Sequence, residues 1–230
     1  MKILGLDSSG LVASVAVVED DALVAEYPTN YKKTHSQTLL PMLEALAEMI
    51  ELDMGTIDGI AIASGPGSFT GLRIGSATAK GLGLVLGKPL IEVPTLEGLA
   101  WNLWGSDRIV CPLMDARRNQ VYTAAYEFLP QGEGFVMDTL ISQNPKDIDV
   151  ILEELTEIGR PVVFLGDGVP VYADTIRKNV MCPTHWPLPA ATGSGELPLL
   201  LWVRCICGRG RPCLPRGTSR SICERARRNR

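Results

Sequence analysis

Histidine is almost missing from this chain: of 230 residues, only His35 and His185 carry an imidazole. That leaves little for a histidine-based metal centre or a Ser-His-Asp triad, and no nucleophile–base pair for a peptidase is in evidence. Cysteine is nearly as scarce in the first 180 residues, where Cys111 stands alone in an apolar strand, a packing position. No uninterrupted apolar run reaches membrane-spanning length, and Met1-Lys2-Ile3-Leu4-Gly5-Leu6-Asp7 has neither the charge nor the apolar stretch of a signal peptide. A cytoplasmic protein is expected. Both common phosphate-loop patterns are also absent. Lys80 does not follow Gly75 at the spacing of G-x-x-x-x-G-K-[ST], and Thr70 stands where G-x-G-x-x-G needs its third glycine.

The modest net charge of −4 conceals two compositions. Residues 1–180 carry 13 Lys and Arg against 24 Asp and Glu, a net −11, whereas residues 181–230 carry nine Arg, no Lys and two Glu, a net +7. Five of the six cysteines, Cys182, Cys205, Cys207, Cys213 and Cys223, lie in that tail. Their spacing lacks the C-x₂-C knuckles of a zinc site, and a basic nucleic-acid arm would mix lysine with its arginine. The composition instead fits a frame-shifted reading of GC-rich coding sequence. Codons chosen for Thr218–Arg228 and read from the third base give Leu-Pro-Val-Tyr-Leu-Arg-Lys-Ser-Gln-Ala, an orderly segment.

Before the tail, the pattern is regular. Ile3–Asp7, Val12–Val18 and Ala22–Tyr27 read as three strands joined by Ser8-Ser9-Gly10 and by a tip at Glu19-Asp20-Asp21. Thr34 and Gln37 fit a capping box for a helix over 34–50 that carries Leu39, Leu43 and Leu46. Pro41 implies either a later start, near Thr38, or a bend. Gly59–Ala63 is a strand, followed by a helix of small residues over 68–87. Leu90–Val93 is a short strand, with a helix over Thr95–Trp104. Strands follow at Ile109–Asp115 and Gln120–Phe128, a helix at Asp147–Gly159, and a buried strand at Pro161–Gly166. Hairpins followed by βα units specify an α/β or α+β fold with a mixed sheet. No internal repeat is visible as shared motifs.

The chemistry-bearing residues fall in few places. Asp7 with Ser8 and Ser9 either organises metal and phosphate at a strand end or completes an ordinary turn. Gly65, Gly67 and Ser68 open the small-residue helix and either cradle an anion at its N-terminus or let something pack tightly. Ser68 is placed to cap it. Gly71, Gly75, Ala79, Gly83 and Gly87 recur every four residues as one smooth stripe. The stripe faces this chain's own sheet, or else the helix bearing His35, Leu39, Leu43 and Leu46 and, through it, a second protein. Asp115, Arg117 and Arg118 form a charged turn that is either solvated or binds a partner or an anion.

Taken together, Ile3–Ser9, Thr34-His35-Ser36 through Leu40-Pro41, and above all Ser64-Gly-Pro-Gly-Ser-Phe-Thr-Gly-Leu-Arg-Ile-Gly75 resemble the bacterial TsaB (YeaZ) family. Val93-Pro-Thr-Leu-Glu-Gly-Leu-Ala100, Met114-Asp-Ala-Arg-Arg118 with Val121-Tyr122, and Gly166-Asp-Gly168 extend the likeness over residues 1–180. The resemblance implies the duplicated RNase H-like fold of actin-like ATPases and sugar kinases. One lobe is expected over 1–104, an incomplete second over 105–180, and the aberrant tail over 181–230.

It also implies a scaffold for making threonylcarbamoyladenosine beside the anticodon of tRNAs that read A-starting codons. The expected partners are the catalytic subunit TsaD and the nucleotide-binding TsaE, with tRNA reached through the complex and a homodimer left open. No metal or cofactor is expected on this chain; ATP and metal belong to the partner subunits. The candidate partner surface is His35, Leu39, Leu43, Leu46, Gly71, Gly75, Ala79 and Gly83. A vestigial nucleotide site would use Asp7, Ser8, Ser9, Gly65, Gly67 and Ser68. The rival reading is an active sugar-kinase-like or ATPase enzyme using Asp7 and the Gly65–Ser68 turn.

Overall fold

A computed structural model describes residues 1–20, 22–30, 34–132 and 134–179. The zinc, basic-arm and frame-shift readings of the tail lie outside the described residues. The chain divides into two units, the first beginning Met1–Gly98 and the second starting at Leu99.

The first unit is built on a five-stranded sheet. Strands β1 (Lys2–Asp7), β2 (Ala13–Glu19) and β3 (Ala22–Thr29) run antiparallel, while β4 (Gly59–Gly65) and β5 (Leu90–Pro94) join β1 in parallel. The order is β3-β2-β1-β4-β5. Helices α1 (His35–Met49) and α2 (Phe69–Leu86) supply the parallel crossovers and pack on one face of the sheet. That face holds Leu4, Leu6, Val15, Val17, Ile60 and Ile62, against which α1 places Leu39, Met42, Leu43 and Leu46. Each fully buried Leu or Ile contributes about 1.5–3 kcal/mol, so this face accounts for much of the unit's stability.

The second unit repeats the scheme. Strands β6 (Ile109–Arg117), β7 (Gln120–Gln131) and β8 (Gly134–Asp147) run antiparallel, and β9 (Val162–Leu165) pairs in parallel with β6, in the order β8-β7-β6-β9. Helix α4 (Ile148–Ile158) buries Ile148, Ile151, Leu152 and Leu155 against it. Helix α3 (Thr95–Trp101) follows β5 in sequence; α5 (Gly168–Val171) and α6 (Ala173–Asn179) follow β9. Three antiparallel strands, a helix, then a parallel strand on the far side of the first: both units follow it. The mixed α/β, duplicated RNase H-like architecture is therefore present, although no shared motif had revealed a repeat.

Local details depart from the sequence reading in three places. Thr34 caps α1 only through its backbone, with Gln37 N–H donating to its carbonyl at 2.9 Å; no capping box forms, and its hydroxyl lies 3.0 Å from that of Ser36. Helix α1 starts at His35, with Pro41 inside it, so the later start near Thr38 is not taken. The 14-residue strand β8 was not foreseen. It has one neighbour among the described residues and buries only Met137, so hydrophobic alternation is missing and Pro145 is tolerated at the edge.

Candidate functional site

The carboxyl end of the parallel strands in the first unit is where α/β sheets place ligands. Here Asp7 ends β1, and the Ser8-Ser9-Gly10 turn meets the Gly65–Ser68 turn that opens α2. Asp7 is buried, its Oδ1 accepting the Ser9 N–H at 2.8 Å. Burial pushes its carboxyl above the ordinary 3.8, opposed by the hydrogen bonds from Ser9 and the nearby His35. His35 Nε2 lies 3.0 Å from the Gly10 carbonyl, so the imidazole braces the same turn from α1.

The turn docks on the start of α2. Ser68 N–H donates to the Ser9 carbonyl at 2.7 Å, and the Ser8 hydroxyl donates to the Gly71 carbonyl at 2.9 Å. As expected, Ser68 caps the helix, accepting Gly71 N–H at 3.2 Å. The glycines make this approach possible. A β-carbon at Gly67 would stand 2.4 Å from the Ser9 carbonyl oxygen, and one at Gly71 only 2.0 Å from that of Ser8. At Gly75 it would meet the Ser8 hydroxyl at 2.4 Å and Ile62 at 3.0 Å. The close packing expected of this segment is made with the chain's own Ser8–Ser9 turn. Gly65 carries φ +110° ahead of a cis Gly65–Pro66 peptide.

This placement corrects the candidate partner surface. Leu39, Leu43, Leu46, Gly71, Gly75, Ala79 and Gly83 are all buried within the first unit. Gly83, lower on α2, has Leu90 and the Lys88 carbonyl within 3.1 Å of where its β-carbon would be. The smooth stripe therefore faces this unit's own sheet and turns, and only His35 of the eight is part-exposed. A bulky residue at Gly75 would strike Ser8 and Ile62, not a partner.

What these helices present outward was missed. Leu40 and Met49 on α1, and Phe69, Leu84 and Val85 on α2, are 52%, 77%, 70%, 85% and 83% exposed. Arg73 lies over the Phe69 ring at 4.2 Å, a cation–π contact one turn along. The signal was available: α2 is apolar on more than one side near its end, where Leu84-Val85-Leu86 follows the stripe.

The second unit holds a related arrangement at the equivalent sheet end. Gly166, at φ +105°, and Gly168 bring the loop after β9 against the Leu113 carbonyl, as Gly67 and Gly71 do against Ser9 and Ser8. Asp167 Oδ1 accepts the Asp115 N–H at 3.2 Å, and burial together with the Asp115 charge raises the Asp167 carboxyl. Tyr172 donates to Asp115 Oδ1 at 3.2 Å and to the Gln120 carbonyl at 3.3 Å. Asp115 was singled out from sequence; its connections to Asp167 and Tyr172 were not, because they cross more than fifty residues. No cluster of three or more His, Cys, Asp or Glu suited to a metal occurs among the described residues. Among them, no helix is long and apolar enough to cross a membrane.

Comparison with known proteins places this geometry in context. A family model described as TsaD, tRNA N6-adenosine threonylcarbamoyltransferase, matches residues 22–191. The chain is 37% identical over 177 residues to the tRNA threonylcarbamoyladenosine biosynthesis protein TsaB of Bacillus subtilis (strain 168), covering 77% of this chain and 76% of that protein. It is 30% identical over 196 residues to the protein of the same name from Escherichia coli (strain K12), covering 83% of each. The solved structure of YeaZ from Pseudomonas aeruginosa superposes with a TM-score of 0.64 at 25% identity, over 81% of this chain and 84% of that one.

Proposed function

Since the chain belongs to the TsaB family of tRNA threonylcarbamoyladenosine biosynthesis proteins, we propose that it is a non-catalytic scaffold subunit that pairs with TsaD. Involvement in that biosynthesis follows from the membership; the pairing is our own reading. Its contact surface is the outward side of α1 and α2, not the buried stripe of α2. One observation carries this assignment: Leu40, Met49, Phe69, Leu84 and Val85 are half or more exposed on two adjacent helices whose other sides are buried. Large apolar side chains exposed on the outer surface of a unit are candidates for burial against a partner. The match of this chain to the TsaD family model also supports a pairing of like with like.

In this reading the chain performs no bond-making step. Its Ser68 N–H is engaged by Ser9, and Asp7 is buried beneath the turn. ATP and metal chemistry is left to TsaD and TsaE, and tRNA is met through the assembly.

Co-purification with TsaD tests the assignment. Leu84→Glu with Val85→Glu should abolish co-elution while leaving the thermal midpoint of the isolated chain unchanged, because both side chains project from the helix. If that double variant co-elutes with TsaD as the unaltered chain does, the surface assignment is wrong.

A further inference from the structure

We propose that the turn between β6 and β7 is a phosphate-binding site, gripped by the guanidinium groups of Arg117 and Arg118. This goes beyond the pairing with TsaD and does not depend on it. Three consecutive non-glycine residues here have left-handed backbone, Arg117 at φ 66°, Arg118 at 52° and Asn119 at 63°. Asparagine adopts that conformation readily; arginine does not. Local sequence preference and structure conflict at this point, the kind of conflict found at functional sites.

The turn is nevertheless held firmly, and from outside its tip. Ile148 N–H donates to the Asn119 carbonyl at 3.2 Å, and the Tyr172 hydroxyl reaches the Gln120 carbonyl at 3.3 Å. Asp115 Oδ1 accepts both the Arg117 N–H, at 2.9 Å, and the Tyr172 hydroxyl, at 3.2 Å. Asp167 in turn fixes the Asp115 N–H. The start of α4, Tyr172 just after α5, and the loop after β9 all converge on the flanks of this turn.

What that tip displays is two cations with no carboxylate partner among the described residues. Arg117 and Arg118 are both exposed, and neither guanidinium has an ion pair among the described residues. Arg108, Arg160 and Arg177 each have a carboxylate, and Arg73 has the Phe69 ring. The acid at the base of the turn, Asp115, is bonded to backbone and to Tyr172 instead. Adjacent guanidiniums repel each other until an oxyanion is shared between them, and their planar forks match phosphate oxygens two at a time. A protein of tRNA nucleoside biosynthesis meets such oxygens in an RNA backbone and in nucleotides.

The test titrates the purified full chain with two probes, a fluorescently labelled tRNA transcript and ATP. Compared are the unaltered chain, Arg117→Gln with Arg118→Gln, and Arg117→Lys with Arg118→Lys. The Gln pair should lower affinity for one probe about tenfold or more; in the tRNA arm, losing two phosphate contacts should also reduce the salt slope by about 1.4–1.8. The Lys pair should keep the slope but recover affinity only in part, because the fork is lost. A second charge-free variant, Arg117→Gly with Arg118→Gly, relaxes the backbone and should lose binding equally. Loss in the tRNA arm assigns the RNA backbone; loss in the ATP arm assigns a nucleotide. If the unaltered chain binds neither probe, or the Gln pair binds both as well as the unaltered chain does, the proposal is overturned. It also falls if the Gln pair keeps both affinities but no longer co-elutes with TsaD, which would make the ligand a protein carboxylate.

Discussion

Ser8 and Gly71 are fitted to one another from both sides. The Ser8 hydroxyl donates to the Gly71 carbonyl at 2.9 Å, while the Ser8 carbonyl oxygen lies 2.0 Å from where a Gly71 β-carbon would be. Backbone on one side and helix on the other leave nothing flexible to move aside. The contact links residues 63 positions apart and seats the β1–β2 turn on the start of α2.

Gly71→Ala should therefore destabilise the chain by about 1–3 kcal/mol or more, because a methyl group must displace main chain. Gly81→Ala, on the same helix, has nothing within 4 Å of its new β-carbon. There the loss of unfolded-state freedom should stabilise by about 0.4–1 kcal/mol. Urea denaturation of the two variants reads both signs; equal effects would refute the close-approach account.

Ser68→Ala removes the acceptor for Gly71 N–H and should cost about 1 kcal/mol. Thr34→Ala should cost much less, since Thr34 makes no side-chain cap bond. A comparison of the two denaturation midpoints checks the ranking.

Asp7 sets a pH dependence with a definite sign. Its folded-state carboxyl is raised above the ordinary 3.8 by burial. The folded form thus holds the proton more tightly than the unfolded one, so the group favours folding below the ordinary carboxylate range. That advantage is lost as pH rises through the raised folded value. Asp7→Asn keeps an oxygen for Ser9 N–H without the charge. It should be more stable than the unaltered chain at pH 7, with the gap closing towards pH 4. The same variant examines the rival ATPase reading, for which purified chain would hydrolyse ATP and Asp7→Asn would not.

Cys111 is fully buried, and burial pushes its thiol up to about 12. Thiolate is the reactive form, so the native chain should leave Cys111 unmodified by iodoacetamide at pH 8. Peptide mass spectrometry with and without denaturant reads this directly; labelling of native Cys111 would contradict the burial.

Arg118→Gly should stabilise the β6–β7 turn by about 0.5–1 kcal/mol, because glycine takes positive φ without the steric penalty arginine meets. A rise in thermal midpoint is the expected outcome, and a fall would show that the arginine side chain supports the fold.

Much of this was legible in the sequence, and the exceptions have physical causes. Strands such as Ile3–Asp7 and Gly59–Ala63 were readable because they are central and nearly all apolar. The Gly71–Gly83 stripe was readable as a face, since its period is helical. Which way the stripe faced was not, because a smooth helix side suits a partner and a sheet equally well. The decisive contact comes from Ser8, far away in the chain. Likewise the inward burial of Leu39, Leu43 and Leu46 follows from their spacing, whereas the exposed Leu40, Leu84 and Val85 carry no periodic signal. Strand β8 escaped because this edge strand buries only Met137, leaving no regular alternation to read. The repeat of the two units lies in strand order, which residue identity does not encode.

The place of β1 at the centre of its sheet has a consequence for synthesis on the ribosome. Strand β1 emerges before both of the strands that flank it, β2 and β4. Its hairpin partners follow within a few residues, but β4 and the start of α2 are made only after about sixty more. At roughly 5–20 residues per second, that is an interval of several seconds. Throughout it, one edge of β1 offers unpaired N–H and C=O groups, and the Ser8–Ser9 turn has no helix to sit on. The nascent chain is most exposed to mispairing and to chaperone capture in that window, and Gly71 marks the moment when it closes.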